Sequence, residues 1–337
     1  MEAMDLSSFD ATNGCRLQRG DRRGHYESWF LRANHPSRPL GFWIRYTIFS
    51  PGGRPEAAVG ELWAILFDGE AGRHVAVKTL VPIEECRFAD RNLAVRIGDA
   101  RLDEGTLVGE ATSGNDTIAW DLRFERPESP PLLLLPPALY RAPFPRAKSL
   151  VPAPLARFEG RVRSGSIDWI VDGWTGSQNH NWGSRHTDSY AWGQVAGFDD
   201  EPDVFVECTT ARVKVGPLWT PPFTLLVLTM DGETVDLTGL DRGLFAKGTF
   251  EPGLWQIESR APGVRVQATF SAPRSAFVGL TYDNPPGGTK TCLNSKIARC
   301  ELVVERRGRP TRRLVSESRA AFEILTDAHD HGIDVVI

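Results

Sequence analysis

The sequence has few cysteines, no long apolar run, no excess of basic charge and almost no helical periodicity, and each shortage removes a class of protein. Its five cysteines, Cys15, Cys86, Cys208, Cys292 and Cys300, are odd in number and contain no CxxC pair. Neither a disulfide framework nor a cysteine-built zinc site is signalled. No window approaches the roughly 18 apolar residues of a membrane span, and the opening stretch MEAMDLSSFDATNG lacks the basic start and apolar core of a secretion signal. The expectation is a cytoplasmic protein with no stable membrane insertion. A net charge of −4 leaves no basic field to attract phosphate backbones, which argues against nucleic acid as a partner. Arg306, Arg307, Arg309, Arg312 and Arg313 do cluster, but they flank Gly308 and Pro310 and read as a solvated hairpin turn. There is no GxGxxG, GxxxxGK[ST], GxSxG or HExxH sequence, so dehydrogenase, NTPase, hydrolase and zincin readings fall. No metal and no cofactor is expected.

What the chain does have is period-2 alternation, bounded throughout by Gly, Pro, Asn and Asp. A chain of 337 residues is long enough for two cores. Strands are expected near 24–33, 41–49, 59–67, 73–81, 93–97, 100–103, 106–112 and 116–125, a spacing that suits an antiparallel barrel or sandwich. Prolines crowd the stretch from Arg126 to Leu155 and remove backbone donors, so this region is expected to be a linker pressed against one or both domains. The strand rhythm then resumes as a larger barrel or sandwich. The predicted organisation is all-β: an N-terminal barrel over 1–126, a linker over 127–156 and a C-terminal barrel over 157–337.

Bulky polar and aromatic residues share single faces of several of these strands. Asp188, Tyr190, Trp192 and Gln194 alternate with Ser189, Ala191, Gly193 and Val195, and the bulky set is expected to line the interior of the second barrel. Near the N-terminus His25, Glu27 and Trp29 alternate with Tyr26 and Ser28, Trp43 and Arg45 with Phe42 and Ile44, and Glu61 and Trp63 with Leu62 and Ala64. Exposed strand faces carry Lys, Thr and Ser more than Trp, so Glu27, Arg45 and Glu61 are expected to point together into a Trp-lined interior of the first barrel. The stretch GWTGSQNHNWGSRH at 173–186 reads as a loop carrying Asn179, His180, Asn181, Trp182, Arg185 and His186. Without more ligands at suitable spacing, it does not make a metal site.

With those residues in view, GHYESWFLR at 24–32 and NWGSRHTDSYAWGQ at 181–194 resemble the two-domain lipocalin-like (AttH-like) superfamily. That group includes carotenoid 1,2-hydratase, tocopherol cyclase and Diels–Alderase-type cyclases. Gly24, Tyr26, Glu27 and Trp29 match a G-x-Y-E-G-W start, with Ser28 in place of the glycine. Asn181, Trp182, Gly183, Trp192 and Gln194 match a later N-W-G and W-x-W-x-Q, with Tyr190 in place of the first tryptophan. The resemblance implies two lipocalin- or calycin-like antiparallel barrels in tandem, an apolar ligand pocket and cofactor-free chemistry on isoprenoid or polyene-like molecules.

The resulting expectation is an enzyme that hydrates, cyclises or isomerises an apolar unsaturated small molecule through a buried carboxylic acid. Glu61, Glu27 and Asp188 are the candidate acids and Arg45 their partner. Tyr26, Trp29, Trp43, Trp63, Asn181, Trp182, Arg185, His186, Tyr190, Trp192 and Gln194 are the candidate ligand contacts. An alkene-derived cation would need aromatic faces. One arginine cannot neutralise two carboxylates, so one glutamate, with Glu61 favoured, is expected to stay protonated. A non-catalytic carrier of a hydrophobic ligand and a carbohydrate-binding β-sandwich remain alternatives.

Overall fold

A computed structural model of the chain describes residues 6–18 and 20–337, so the start of the N-terminal stretch lies outside the described residues. The expected strands of the first half all form, with ends within one residue of those read from the alternation. They build an antiparallel sheet in the order Arg73–Pro82, Val59–Asp68, Leu40–Ser50, His25–Asn34, Ile167–Gly183, Ala147–Ser164, Asp116–Glu125 and Thr106–Ser113, ending in short strands. The sheet curls until its ends meet. Thr79 Oγ1 donates to the Thr112 carbonyl (3.0 Å) and accepts from the Thr112 amide (2.7 Å), leaving the barrel nearly closed.

Two sequence expectations change here. Residues 147–183, assigned to the linker, the second barrel and a loop, are two long strands of the first sheet. Pro152 and Pro154 sit in a central strand because its pairing shifts register between Leu150 and Ala153 and again between Ala153 and Ala156. Bulges tolerate residues that lack a donor. The stretch 173–186 is strand as far as Gly183, and Ser177, Gln178, Asn179 and His180 are buried, on both faces, rather than solvated. Gly176 is required there, since a Cβ would lie 1.7 Å from the Arg32 carbonyl oxygen.

The second sheet runs Glu233–Leu237, Phe223–Met230, Phe205–Arg212, Ser189–Ala196, Arg312–Thr326, Thr289–Arg306, Val264–Ser271, Leu254–Ala261 and Lys247–Glu251. A short helix, Leu240–Phe245, packs against Phe223–Met230 and Leu254–Ala261. The arginine cluster at 306–313 does turn a hairpin, and Arg306 and Arg309 pair with Glu233. The architecture is all-β, two antiparallel barrels in tandem.

Each barrel has its own core. Trp29, Leu31, Phe42, Ile44, Tyr46 and Leu62 fill the first, and Val195, Val206, Leu226, Trp255, Phe270 and Phe322 fill the second. A third apolar cluster, including Phe30, Trp43, Trp63, Trp192, Phe205 and Tyr282, lies where the two sheets press together. Directly opposed residues in an antiparallel pair share a face. Trp29 opposes Tyr46, which opposes Leu62, and these look into the first barrel. Phe30 opposes Arg45, which opposes Trp63, and these look across the seam. Strands His25–Asn34, Leu40–Ser50 and Val59–Asp68 are therefore buried on both faces.

A candidate active site in the seam between the barrels

The seam contains more buried polar groups than either barrel interior. From the first sheet come Tyr26, Ser28, Arg32, Asn34, Arg45 and Glu61, joined by Ser177 and Asn179. From the second come Gln194, Glu207, Asn294, Lys296 and Glu323. Uncompensated, such burial would cost several kcal/mol per charge, so the bonding pattern matters.

Gln194 organises one end. Its Oε1 accepts from Arg32 Nε (2.8 Å) and Ser177 Oγ (2.6 Å), and its Nε2 donates to Asn179 Oδ1 (2.8 Å) and Glu207 Oε2 (3.3 Å). Trp192 Nε1 donates to Glu207 Oε1 at 2.9 Å. Glu207 is thus approached by neutral donors, while Arg32 directs its Nη groups to Asn34 Oδ1 and the Gln194 and Arg319 carbonyls. Burial pushes the Glu207 carboxyl up; the bonds from Trp192 and Gln194 and the charge of Arg32 only partly counter it, leaving it at about 7. Both bonded neighbours are donors, so the proton of the neutral acid has no acceptor between them. Burial likewise lowers the Arg32 guanidinium, partly offset by Glu207, to about 9.

On the other side of Trp192 stands a second carboxyl, since Trp192 opposes Glu323 across the strand pair. Lys296 Nζ lies 2.6 Å from Glu323 Oε1 and donates to Asn294 Oδ1 (2.5 Å), and Asn294 Nδ2 donates to Glu323 Oε1 (3.1 Å). Burial lowers the Lys296 ammonium and Glu323 opposes that shift. Among the seam's carboxyls, Glu207 is bonded to no cation while Glu323 is paired with Lys296, an arrangement suited to separate acid and base roles.

Aromatic rings line the remainder. The Arg45 guanidinium lies 4.6 Å from the Tyr282 ring centre, 5.8 Å from Trp43 and 6.0 Å from Trp63, with Nε donating to Ser28 Oγ (2.8 Å). Lys296 Nζ is 5.7 Å from Trp43 and 5.6 Å from Trp192. His186 stacks on Tyr26 at 4.1 Å and lies 5.6 Å from Tyr282; burial, with Arg45 nearby, lowers its imidazole to about 3 and keeps it neutral. Two buried polar atoms of this wall have no partner among the described residues: the donor Trp43 Nε1 and the acceptor Asn181 Oδ1.

The residues expected from the sequence divide between this seam and other places. Tyr26, Trp43, Arg45, Glu61, Trp63, Asn181, His186, Tyr190, Trp192 and Gln194 face the seam. Asp188 and Arg185 sit at its edge, where Arg185 Nη2 lies 2.6 Å from Asp188 Oδ1. Three expectations are corrected. The bulky face of Ser189–Ala196 looks across the seam, because the small face packs on barrel aromatics: a Cβ on Gly193 would lie 2.8 Å from Phe270 and Trp255. Glu27 does not join Arg45 and Glu61, because it shares the opposite face with Trp29. Glu61 is not an isolated acid, since Lys78 Nζ is 3.1 Å from its Oε1 and Trp63 Nε1 donates to its Oε2 at 3.0 Å. The ring faces proposed for a carbocation are also already occupied by Arg45 and Lys296.

Glu27, Trp29 and Trp182 belong to a separate cluster at the end of the first barrel. Glu27 accepts from the Arg16 (2.8 Å) and Leu17 (3.1 Å) amides and lies 2.9 Å from both His25 Nε2 and His180 Nε2. Burial raises its carboxyl, but the histidine bonds prevail and bring it to about 2. His180 stacks 4.9 Å from Trp29 and from Trp182, and its Nδ1 is 2.7 Å from the Thr12 carbonyl. A hollow of about 750 Å³ opens beside this cluster, lined by Cys15, Leu17, Cys86 and Phe88. The bonds to Glu27 hold the N-terminal segment in place and offer a guest no free group, so the seam is the stronger site. Sequence reasoning missed Glu207, Lys296 and Glu323. The signal was a lone charge inside an apolar strand, as in Phe205-Val206-Glu207-Cys208 and Phe322-Glu323-Ile324.

Comparison with solved structures settles the fold. A candidate AttH from Nitrosomonas europaea matches with a TM-score of 0.55 and 15% identity over 93% of this chain and 97% of that one. The chain has the AttH-like double-barrel fold. Kievitone hydratase from Nectria haematococca matches at TM-score 0.53 and 10% identity, over 90% of this chain and 89% of that one. CghA, solved with Sch210972, matches at 0.56 and 11%, over 91% and 90%. An uncharacterised protein of Mycobacterium tuberculosis is 25% identical over 289 residues, spanning 85% of this chain and 82% of that protein. No family model matches the sequence. Among the described residues no group of three or more His, Cys, Asp or Glu is placed to hold a metal ion, and no helix is long and apolar enough to cross a membrane.

Proposed function

We propose that the seam is the active site of a cofactor-independent enzyme that hydrates, cyclises or isomerises a largely apolar, unsaturated small molecule, with Glu207 as the proton donor. The observation that carries this reading is a fully buried carboxyl bonded only to neutral donors and held near pH 7. A general acid works best when its pKa lies near the working pH. The fixed cations over the ring faces favour a substrate whose double bond is conjugated to an oxygen, because they stabilise negative charge developing on that oxygen better than positive charge on carbon. In a hydration, water adds to the far carbon, charge moves to the oxygen, and Glu207 passes its proton to the near carbon. The water's surplus proton then restores the acid. That one fold neighbour is named a hydratase and another holds a small molecule supports the same class of chemistry.

The test is incubation with a panel of conjugated isoprenoid and polyketide-like compounds in heavy water, read by mass spectrometry. The reading expects either a mass gain of one water or an isomer carrying solvent deuterium, and a loss of about a hundredfold or more in Glu207→Gln. A Glu207→Gln variant that turns over the identified substrate at the full rate refutes Glu207 as donor. Stoichiometric retention of an unchanged compound favours a carrier.

A further inference from the structure

We propose that the end of the second barrel formed by the hairpin Lys214–Trp219 and the helix Leu240–Phe245 docks on an anionic lipid bilayer. The hairpin is two short paired strands, Lys214–Val215 and Leu218–Trp219, closed by the Thr220 amide donating to the Val213 carbonyl at 2.9 Å. It leaves the sheet just beyond the Ala211–Phe223 pair, and the helix covers the Phe223 ring so closely that a Cβ on Gly243 would lie 2.5 Å from it. Hairpin and helix therefore share one end of the barrel. On this end Leu218 is 71% exposed, Val215 66%, Leu244 61%, Leu240 53% and Phe245 87%. Large apolar side chains gathered at that exposure mark an interaction surface.

The charges around them identify the occupant. Arg212 and Lys214 lie over the Trp219 ring at 5.1 and 4.9 Å. Beneath Phe245 a hollow of about 280 Å³ is lined by Arg242, Lys247, Arg260 and Glu258. The Glu258 carboxylate is engaged by Arg260 and by Arg265 at 2.9 Å; these bonds, against slight burial, bring it to about 2, so its charge is already met. Asp241 on the helix and Asp327, 3.8 Å from Lys214 and held by Lys290 at 2.7 Å, also lie at this end but are outnumbered by the cations. Apolar side chains projecting among those cations, with Trp219 between, combine acyl-chain insertion with headgroup attraction. A second copy of the chain is a poorer fit, because a two-fold contact would press like charges together. With a net charge of −4 the whole molecule does not attract an anionic surface, so the attraction is local. The Lys214 amide donates to Asp188 Oδ2 at 2.9 Å, which ties the hairpin to the edge of the seam. Delivery of a membrane-dissolved substrate there would rest on the seam being the active site, whereas docking itself does not.

The experiment is co-sedimentation of the full chain with phosphatidylcholine vesicles, with and without phosphatidylserine. The proposal expects salt-sensitive binding to the phosphatidylserine vesicles, reduced about tenfold or more in Arg242→Glu/Lys247→Glu and abolished in Leu244→Ser/Phe245→Ser. Thermal melting confirms that both variants, altered only at this end of the barrel, stay folded. Absence of wild-type binding, or equal binding by the folded variants, overturns the proposal. So does a dimer in analytical ultracentrifugation that both variants abolish while neither alters vesicle binding.

Discussion

Glu207 makes the stability of this protein depend on pH in an unusual direction. Its carboxyl titrates at about 7 in the folded state against 4.5 for an exposed glutamate. Below the lower value both folded and unfolded chains hold the proton and the group contributes nothing to the pH dependence. Between the two values the unfolded chain releases it and the folded chain keeps it, so stability falls as pH rises. A difference of about 2.5 units at 1.36 kcal/mol each amounts to about 3 kcal/mol, fully lost above pH 7. Glu207→Gln removes that dependence. It also presents an amide N–H₂ to the N–H groups of Trp192 or Gln194, at a cost of about 1 kcal/mol at every pH. Wild type and variant should therefore be of similar stability near pH 5, with the variant ahead by about 2 kcal/mol near pH 8. Urea denaturation followed by tryptophan fluorescence across that range measures the difference, and other titrating groups cancel between the two proteins. Parallel stability curves, or a variant that is weaker throughout, would show Glu207 ionised in the fold and remove the basis for its role as an acid.

Two further outcomes follow from the buried charges. Glu27 behaves in the opposite sense: its folded carboxyl lies at about 2, so its contribution is present above about pH 4.5 and lost as pH falls toward 2. Glu27→Gln should lower stability by about 3 kcal/mol at pH 7 and flatten the acid limb of Tm against pH, with residues 6–18 becoming sensitive to protease; an unchanged acid limb refutes this. Lys296→Met and Glu323→Leu should each cost about 3–5 kcal/mol, and the double variant much less than their sum, as measured in a double-mutant cycle. Additive losses would mean that the pair at 2.6 Å does not act as a unit.

The sequence was legible wherever one period governed a segment. Strands such as 73–82 and 116–125 alternate between Gly- and Pro-bearing turns, and their boundaries were read to within a residue. The segment 147–183 was misread for two physical reasons. Pro152 and Pro154 signal loops unless bulges absorb them, and bulges depend on the partner strands Asp116–Glu125 and Ile167–Gly183. Asn179, His180 and Asn181 signal solvent unless both faces of a strand find polar partners. His180 finds them inside the first barrel and Asn179 across the seam. Alternation also tells which residues share a face but not what that face meets. Trp43 with Arg45, and Trp192 with Gln194, were grouped correctly on their own strands and then assigned to barrel interiors, because a second sheet pressed against the first leaves no mark in the period.

The same two-sheet packing bears on why the proposed site lies between the barrels. A small barrel's interior is filled by its own inward side chains, and here Trp29, Phe42 and Tyr46 fill one while Trp255, Phe270 and Phe322 fill the other. Polar groups do enter the first barrel, but as a closed cluster in which both carboxylate oxygens of Glu27 are already bonded. The seam is different because two sheets contribute to it independently, each bringing donors and acceptors that the other can meet: Arg32 with Gln194, Asn34 with the Lys296 carbonyl. Networks assembled from two bodies pair most groups and strand a few, and the stranded ones are where a guest gains most. Trp43 Nε1 and Asn181 Oδ1 lack partners among the described residues, and the acidic proton of Glu207 faces no acceptor in its bonded neighbours. A guest with an oxygen could meet one of these atoms, whereas a plain hydrocarbon would leave both orphaned atoms as they are. On the proposed reading, the seam's hydrogen bonding favours an oxygenated unsaturated substrate, independently of the cations over the rings.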